Sequence, residues 1–281
     1  MISYIIGLAA VVLLFANPIS QLLYPQQTGI TSSLRPQLNE SLLALDGPND
    51  TAPECHPDAY AVRLLRRDPL VLYIEHFLSE DERGHLLEIS EPLFEPSTIT
   101  HDASVTQHDT AVRDSSVALI PRTNTVRCIE ARARALQGWR RDMWLERLRT
   151  QRYEPGGHYN HHFDWSSNAG GWGRVSSFMA WVDAQDALEG GGTEFPLLQI
   201  PGEERWCEYL ECAVGNATTS DGEDGHKDRA HAVFRVVPGN AVYWENFAAD
   251  GRGYYETLHA GLPVNKGVKV GLNIWSFGRI E

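Results

Sequence analysis

After Leu145 the chain alternates. The runs LRTQRYEPGG, HYNHHFDW, RVSSFMAWVD, GGGTEFP, AVFRVVPGNAVYWEN and VKVGLNIWSF follow one another, each short and each cut by glycine or proline. An apolar/polar period of two places successive side chains on opposite faces of a strand, and glycine and proline mark its turns and bulges. Such a segment closes into antiparallel sheets. Upstream the period changes. Ser79 and Glu82 form a capping-box pattern ahead of a helix whose apolar face is Leu86, Ile89 and Leu93. A second helix runs from Thr123 to about Trp139, with Val126, Ile129, Ala133 and Leu136 at helical spacing. Helices first and strands later predict an α+β, mainly β fold, with N-terminal helices packed on one sheet of a sandwich or barrel.

The first charged residue is Arg35, and Ile2 to Ile19 are mostly apolar. That length is at the lower limit for a membrane span and would also serve a signal peptide. The basic start and small-residue cleavage site of a signal peptide are absent, so the expectation is a single N-terminal membrane anchor over 1–20. A polar stalk over 21–67 and one domain over 68–281 follow, with an acidic loop insertion over 198–232. The sequons at Asn39, Asn49 and Asn216 and the close pair Cys207 and Cys212 fit a secretory route. The pair can form a local disulfide or remain as thiols. Together these features predict an endoplasmic reticulum membrane protein, single-pass with its domain in the lumen, secretion being the alternative. With 24 Lys+Arg against 37 Asp+Glu the net charge is −13, which argues against nucleic acid as a partner. Nothing in the sequence fixes the oligomeric state.

In HYNHHFD, strand alternation puts His158, Asn160, His162 and Asp164 on one side, and His161 and Phe163 on the other. His162 and Asp164 can face one ion together, whereas His161 cannot join them. Among eleven histidines the best third ligand is His259, ahead of a Gly-Leu-Pro turn. In the strand that follows, Val268, Val270, Leu272 and Ile274 form a face for the helices, and Lys269, Gly271, Asn273 and Trp275 point the other way. A lysine inside a barrel needs an anion, which a bound dicarboxylate would supply. Two histidines and a carboxylate form the facial triad of non-heme Fe(II) oxygenases, with positions left open for a chelating 2-oxo acid and O2. Singly, an H-x-D pair or a strand lysine is more often structural. The ordered set His162, Asp164, His259, Lys269 is what points to iron.

The chain resembles prolyl 4-hydroxylase alpha-subunit-type 2-oxoglutarate/Fe(II) dioxygenases over roughly Asp68 to Ser276. RYEPGGHYNHHFDW is similar to that family's Tyr-x-Pro-Gly-x-x-Tyr-x-x-His-x-Asp segment, and GGGTEFP to its Gly-Gly-x-Thr-x-Phe-Pro turn. GNAVYW, HAGLPVNKGVK and PLVLYIEHFLSEDE each match a further family segment. His161, where the family often has proline, and the insertion with Cys207 and Cys212 are departures. The resemblance implies a double-stranded β-helix (jelly-roll) core. It implies Fe(II) held by His162, Asp164 and His259, and 2-oxoglutarate held at its C5 carboxylate by Lys269 and Tyr153, with Trp275 lining the pocket. O2 and L-ascorbate complete the cofactors. The implied activity is that of a procollagen-proline 4-dioxygenase-like oxidoreductase, forming 4-hydroxyproline in a proline-containing peptide or protein and releasing succinate and CO2. The alternatives are the same chemistry on another peptidyl residue or a small metabolite, a non-catalytic binding β-sandwich, and a zinc hydrolase on the same ligands.

Overall fold

The computed structural model describes residues 39–101, 105–166, 171–185, 187–199, 204–212 and 231–280. Apart from five strands of two or three residues, the strands of the described residues are, in chain order, β1 (Ala61–Arg67), β2 (Leu70–Glu75), β3 (Arg113–Asp114), β4 (Ser116–Leu119), β5 (Met143–Leu145), β6 (Arg149–Tyr153), β7 (His158–His162), β8 (Trp172–Ala184), β9 (Thr193–Gln199), β10 (His231–Phe234), β11 (Ala241–Glu245), β12 (His259–Gly261) and β13 (Lys269–Arg279). Two helices precede most of them, α1 (Glu80–Ser90) and α2 (Asn124–Leu136).

The larger sheet runs β1-β2-β11-β8-β13-β6-β4, then a two-residue strand at Glu95–Pro96, with β5 also paired to β13. The smaller runs β10-β9-β12-β7-β3. Strand alternation divides the larger sheet into two faces. Phe178, Ala180 and Val182 of β8, with Val270, Leu272 and Ile274 of β13, pack on Leu86 of α1 and on Val126, Ile129 and Ala133 of α2. The intervening Met179 and Trp181, with Tyr73, Val242 and Trp244, pack on Phe195, Ala232 and Phe234 of the smaller sheet. The core therefore has two layers, helix on sheet and sheet on sheet, which is the expected mainly β layout with helices on one sheet.

The helices form as their sequences dictate. The Ser79 hydroxyl accepts from the Glu82 amide at 3.2 Å, and the Glu82 carboxylate accepts from the Ser79 amide at 2.9 Å, closing the capping box. Thr123 caps α2 through its hydroxyl. Leu93 departs from expectation. It sits past the end of α1 in a 3-10 turn and is 43% exposed.

One expectation about the N-terminal part needs correction. No helix among the described residues is long and apolar enough to cross a membrane. The longer of the two, α2, has 13 residues, against the roughly 20 that a span requires. The predicted membrane location is thereby overturned, and the apolar segment 1–20 lies outside the described residues. Within the stretch expected as a stalk, residues from Leu43 onward make docking contacts with the domain. Leu43 and Ala44 are buried, Asp46 pairs with Arg122 and Arg127, Asp58 pairs with Arg132, and β1 is an edge strand of the larger sheet. Arg132 is itself buried and also holds Glu82 at 2.7 Å. Of the acidic loop expected over 198–232, Leu198 and Gln199 lie in β9 and His231 and Ala232 in β10. Its described middle is a 3-10 turn (Glu204–Glu208) whose neighbourhood buries Trp206, Tyr209 and Leu210 in the inter-sheet core.

Cys207 and Cys212 are bonded, and so are Cys55 and Cys128, 73 residues apart. The second bond fastens the docked N-terminal segment to α2. Closing a loop of that length restricts the unfolded chain, so replacing Cys55 and Cys128 with Ser is expected to cost about 2–4 kcal/mol, measured by denaturant titration.

Candidate metal centre

β7 and β12 lie antiparallel, and their register sets His162 directly opposite His259. Both rings are oriented by the backbone. His162 Nδ1 donates to the Asn160 carbonyl at 2.8 Å, and His259 Nδ1 to the Thr257 carbonyl at 2.9 Å. A carbonyl can only accept, so the proton of each neutral imidazole sits on Nδ1 and the Nε2 lone pair is free. Those Nε2 atoms lie 4.0 Å (His162) and 3.8 Å (His259) from the two carboxylate oxygens of Asp164. These gaps are too long for hydrogen bonds. One ligand atom from each of the three residues falls within 4.8 Å of the others.

Charge supports the same use. Burial, then the neighbouring His259, pushes His162 down to about 3, so its ring is neutral at ordinary pH. Burial alone would raise the Asp164 carboxyl, but His259, His162 and Arg174 outweigh it and hold the group below its usual range. One carboxylate and two imidazoles whose Nε2 atoms face it, buried together, form a site for a cation.

The ion-binding side opens on a cavity lined by Gln151, Tyr153, Tyr159, Thr193, Lys269 and Asn273, among others. Lys269 is 1% exposed, and its ammonium donates to the Gly191 carbonyl at 2.5 Å with no carboxylate partner among the described residues. Burial lowers it to about 8. Gly191 has φ +73, a backbone conformation that L side chains rarely adopt, so glycine permits the turn that presents this carbonyl. Gln151 Nε2, Thr193 Oγ1 and Trp244 Nε1 are also buried without partners, and all three residues line this cavity. Unsatisfied buried polar atoms are costly, and their convergence beside a buried cation fits a small polar anion.

The family model described as the 2OG-Fe(II) oxygenase superfamily matches residues 148–277. Over those residues the chain carries a prolyl 4-hydroxylase-like 2-oxoglutarate/Fe(II) dioxygenase domain. Its metal is Fe(II) and its cosubstrates are 2-oxoglutarate and O2, with L-ascorbate typical of the family. It is 25% identical over 225 residues to prolyl 4-hydroxylase 5 of Arabidopsis thaliana, covering 76% of this chain and 70% of that one. It is 25% identical over 215 residues to prolyl 4-hydroxylase subunit alpha-3 of Mus musculus, covering 74% of this chain but only 33% of the mouse subunit. In fold it is similar to the viral collagen prolyl hydroxylase of Paramecium Bursaria Chlorella virus-1, solved as a 2OG complex, with TM-score 0.51 and 22% identity over 74% of this chain and 96% of that one.

In this dioxygenase the remaining predicted residues fall as follows. Tyr153 is buried, pairs in register with Lys269, and donates its hydroxyl to Gln151 at 3.0 Å. Burial raises its pKa. Trp275 is buried on the Lys269 side of β13 but is not among the residues lining the cavity; the Arg174 guanidinium covers its ring at 3.8 Å. His161 points away from the triad and is hydrogen-bonded to Glu194 at 2.7 Å. Asn39 caps a short 3-10 turn, Asn49 is exposed, and Asn216 lies outside the described residues.

Three cavity or near-site residues were not anticipated. Tyr159 stacks on His162 with ring centroids 3.7 Å apart, although alternation assigns it to the other face. A register shift between Tyr159 and His162, a β-bulge, reverses the alternation, and Asp164 lies beyond the end of β7. Arg113 covers the far face of Tyr159 at 4.6 Å. Arg174 reaches Asp164 at 3.9 Å and is paired with Glu146 through two hydrogen bonds of 2.6 and 3.0 Å. A lone arginine within the apolar run WGRVSSFMAWV was the available signal for it.

Proposed function

We propose that the protein hydroxylates peptidyl proline at ring carbon 4, with Fe(II) held by His162, Asp164 and His259. The observation that carries the metal assignment is the pair of Nδ1–carbonyl hydrogen bonds, which aims both free Nε2 lone pairs at Asp164. Bound Fe(II) would supply O2 activation coupled to decarboxylation of 2-oxoglutarate to succinate and CO2, and oxygen insertion into the acceptor C–H.

The chain's own residues bind and orient. Lys269 would pair with the C5 carboxylate of 2-oxoglutarate, which removes the cost of a buried ammonium without a counterion. Gln151 and Thr193, through the unpartnered Nε2 and Oγ1, would add hydrogen bonds to that carboxylate, and Tyr153 would add another by turning its hydroxyl from Gln151 Oε1 to the ligand. Tyr159 screens His162 from solvent. The apolar walls, Met179 and Trp244, exclude water around the reacting atoms.

Support for a peptide acceptor comes from the aromatic cluster next to Asp164. Phe163 and Trp165 flank it in sequence and pack on Tyr255, which is 62% exposed. Aromatic ridges are suited to proline-rich segments. Tyr255→Ala is expected to raise KM for a proline-rich peptide roughly tenfold and to leave KM for 2-oxoglutarate unchanged. The defining experiment incubates the protein with Fe(II), 2-oxoglutarate, ascorbate and proline-rich peptides and follows the gain of one oxygen by mass spectrometry. Oxygen located at C4 of proline is the expected result. Turnover confined to lysyl peptides or a small metabolite would overturn the acceptor assignment and leave the metal assignment standing.

A further inference from the structure

We propose that Thr257 and Trp165 form a clasp that fixes His259 relative to Asp164, so that both are positioning residues for the metal triad. The inference rests on the assignment of His162, Asp164 and His259 as the metal ligands. Thr257 is 1% exposed and uses both of its oxygens. Its carbonyl accepts from His259 Nδ1 at 2.9 Å. Its hydroxyl accepts from the Trp165 indole N–H at 3.1 Å and donates to the Tyr254 carbonyl at 2.7 Å. Trp165 directly follows Asp164 in the chain. A residue bonded covalently to one ligand is thus hydrogen-bonded to the residue that orients another. The ring closes across the 3.8 Å gap between His259 and Asp164, where the ion belongs.

The indole is built into this place. Its N–H is shared with the Tyr254 carbonyl at 3.2 Å, and its ring packs against Phe163, Phe247 and Tyr255. At Gly253 a Cβ would fall 2.4–2.6 Å from three indole ring carbons, so any other residue there would displace the tryptophan. Gly253 has no positive φ, and its requirement is therefore one of room. The Tyr254 amide donates to the Asn246 carbonyl at 2.9 Å, and Asn246 Nδ2 donates to the Ser177 hydroxyl at 3.1 Å, which ties this corner to β8.

A group that orients a metal-bound imidazole typically governs metal affinity by roughly 10–100-fold. The test uses Co(II) as an O2-inert probe, titrated into wild type and into Thr257→Val, Thr257→Ser and Trp165→Phe, with His162→Ala as a control. Affinity, the cobalt d–d spectrum and Tm are recorded. The expected result is that Thr257→Val and Trp165→Phe bind cobalt roughly 10–100-fold more weakly with an altered spectrum. Thr257→Ser, which keeps the hydroxyl, should restore both, and Tm should stay within a few degrees throughout. Wild-type affinity and spectrum in both weakening variants would overturn the clasp alone. Cobalt binding that is unaffected by His162→Ala would overturn the triad assignment and the clasp with it. If Thr257→Val does not fold, Trp165→Phe, which keeps the ring and removes only the N–H donor, decides the matter.

Discussion

Asp164→Ala is expected to abolish metal-dependent succinate release, by on the order of a thousandfold or more, while the protein stays folded. The reasoning is electrostatic. Asp164 is the one carboxylate among the three proposed ligands, and its side chain is only 5% exposed. Without it, two imidazoles remain to hold a divalent ion in a buried site, and a metal centre that has lost its anionic ligand no longer fixes the ion or its open positions. Calorimetric titration with Co(II) and a succinate assay measure the two consequences separately. Retained cobalt affinity in Asp164→Ala would mean that the ion sits elsewhere.

Lys269→Met should weaken 2-oxoglutarate binding by roughly 30- to 1000-fold, the range expected when one partner of a buried charge pair is removed (about 2–4 kcal/mol). Cobalt binding in the absence of 2-oxoglutarate should not change. The same substitution should stabilise the ligand-free protein. Burial lowers the Lys269 pKa from 10.5 to about 8, so between those values the unfolded chain binds more protons than the folded one. Stability of the ligand-free wild type therefore rises with pH from about 8 to 10.5, and at neutral pH the buried ammonium costs about 3 kcal/mol. Melting curves at pH 7 and 10 should show the variant ahead at the lower pH and the difference closing at the higher. In wild type, 2-oxoglutarate affinity should fall as pH rises above about 8, because the free site then loses its cation. A pH-independent affinity would remove Lys269 from the binding site.

The ligands and Lys269 were legible because their chemistry is ordered along the chain, and the ordering survives local irregularity. The geometric route to them was only partly right. Regular alternation correctly separates His161 from His162, but it also separates Tyr159 from His162, and the bulge between them brings those two rings together. A one-residue irregularity leaves no mark in composition. Gln151 could have been found, since it is two residues before Tyr153 and shares its face of β6. The Cys55–Cys128 bond was available by elimination once Cys207 and Cys212 were paired. The docking of residues 43–67 was not visible in hydrophobic pattern. Much of it rests on Asp46 and Asp58 meeting arginines at positions 122, 127 and 132, and a stretch that binds by charge reads in sequence like a solvated linker.

That docked segment also determines how the molecule bears load. A pull on the chain upstream of Leu43 is first resisted by the docking contacts at residues 43–46 and is then carried at Cys55 through sulfur into α2. Beyond that point the bond removes 73 residues of sequence separation from the length the chain can pay out. Strands β1 and β2 lie inside that closed loop, so tension bypasses the edge of the larger sheet, where strands would otherwise be peeled off one at a time. In a single-molecule extension the oxidised protein should release correspondingly less contour length than the reduced one. The sheet that carries Lys269 is thus loaded through α2, which packs on its face, and not by peeling at its edge strand.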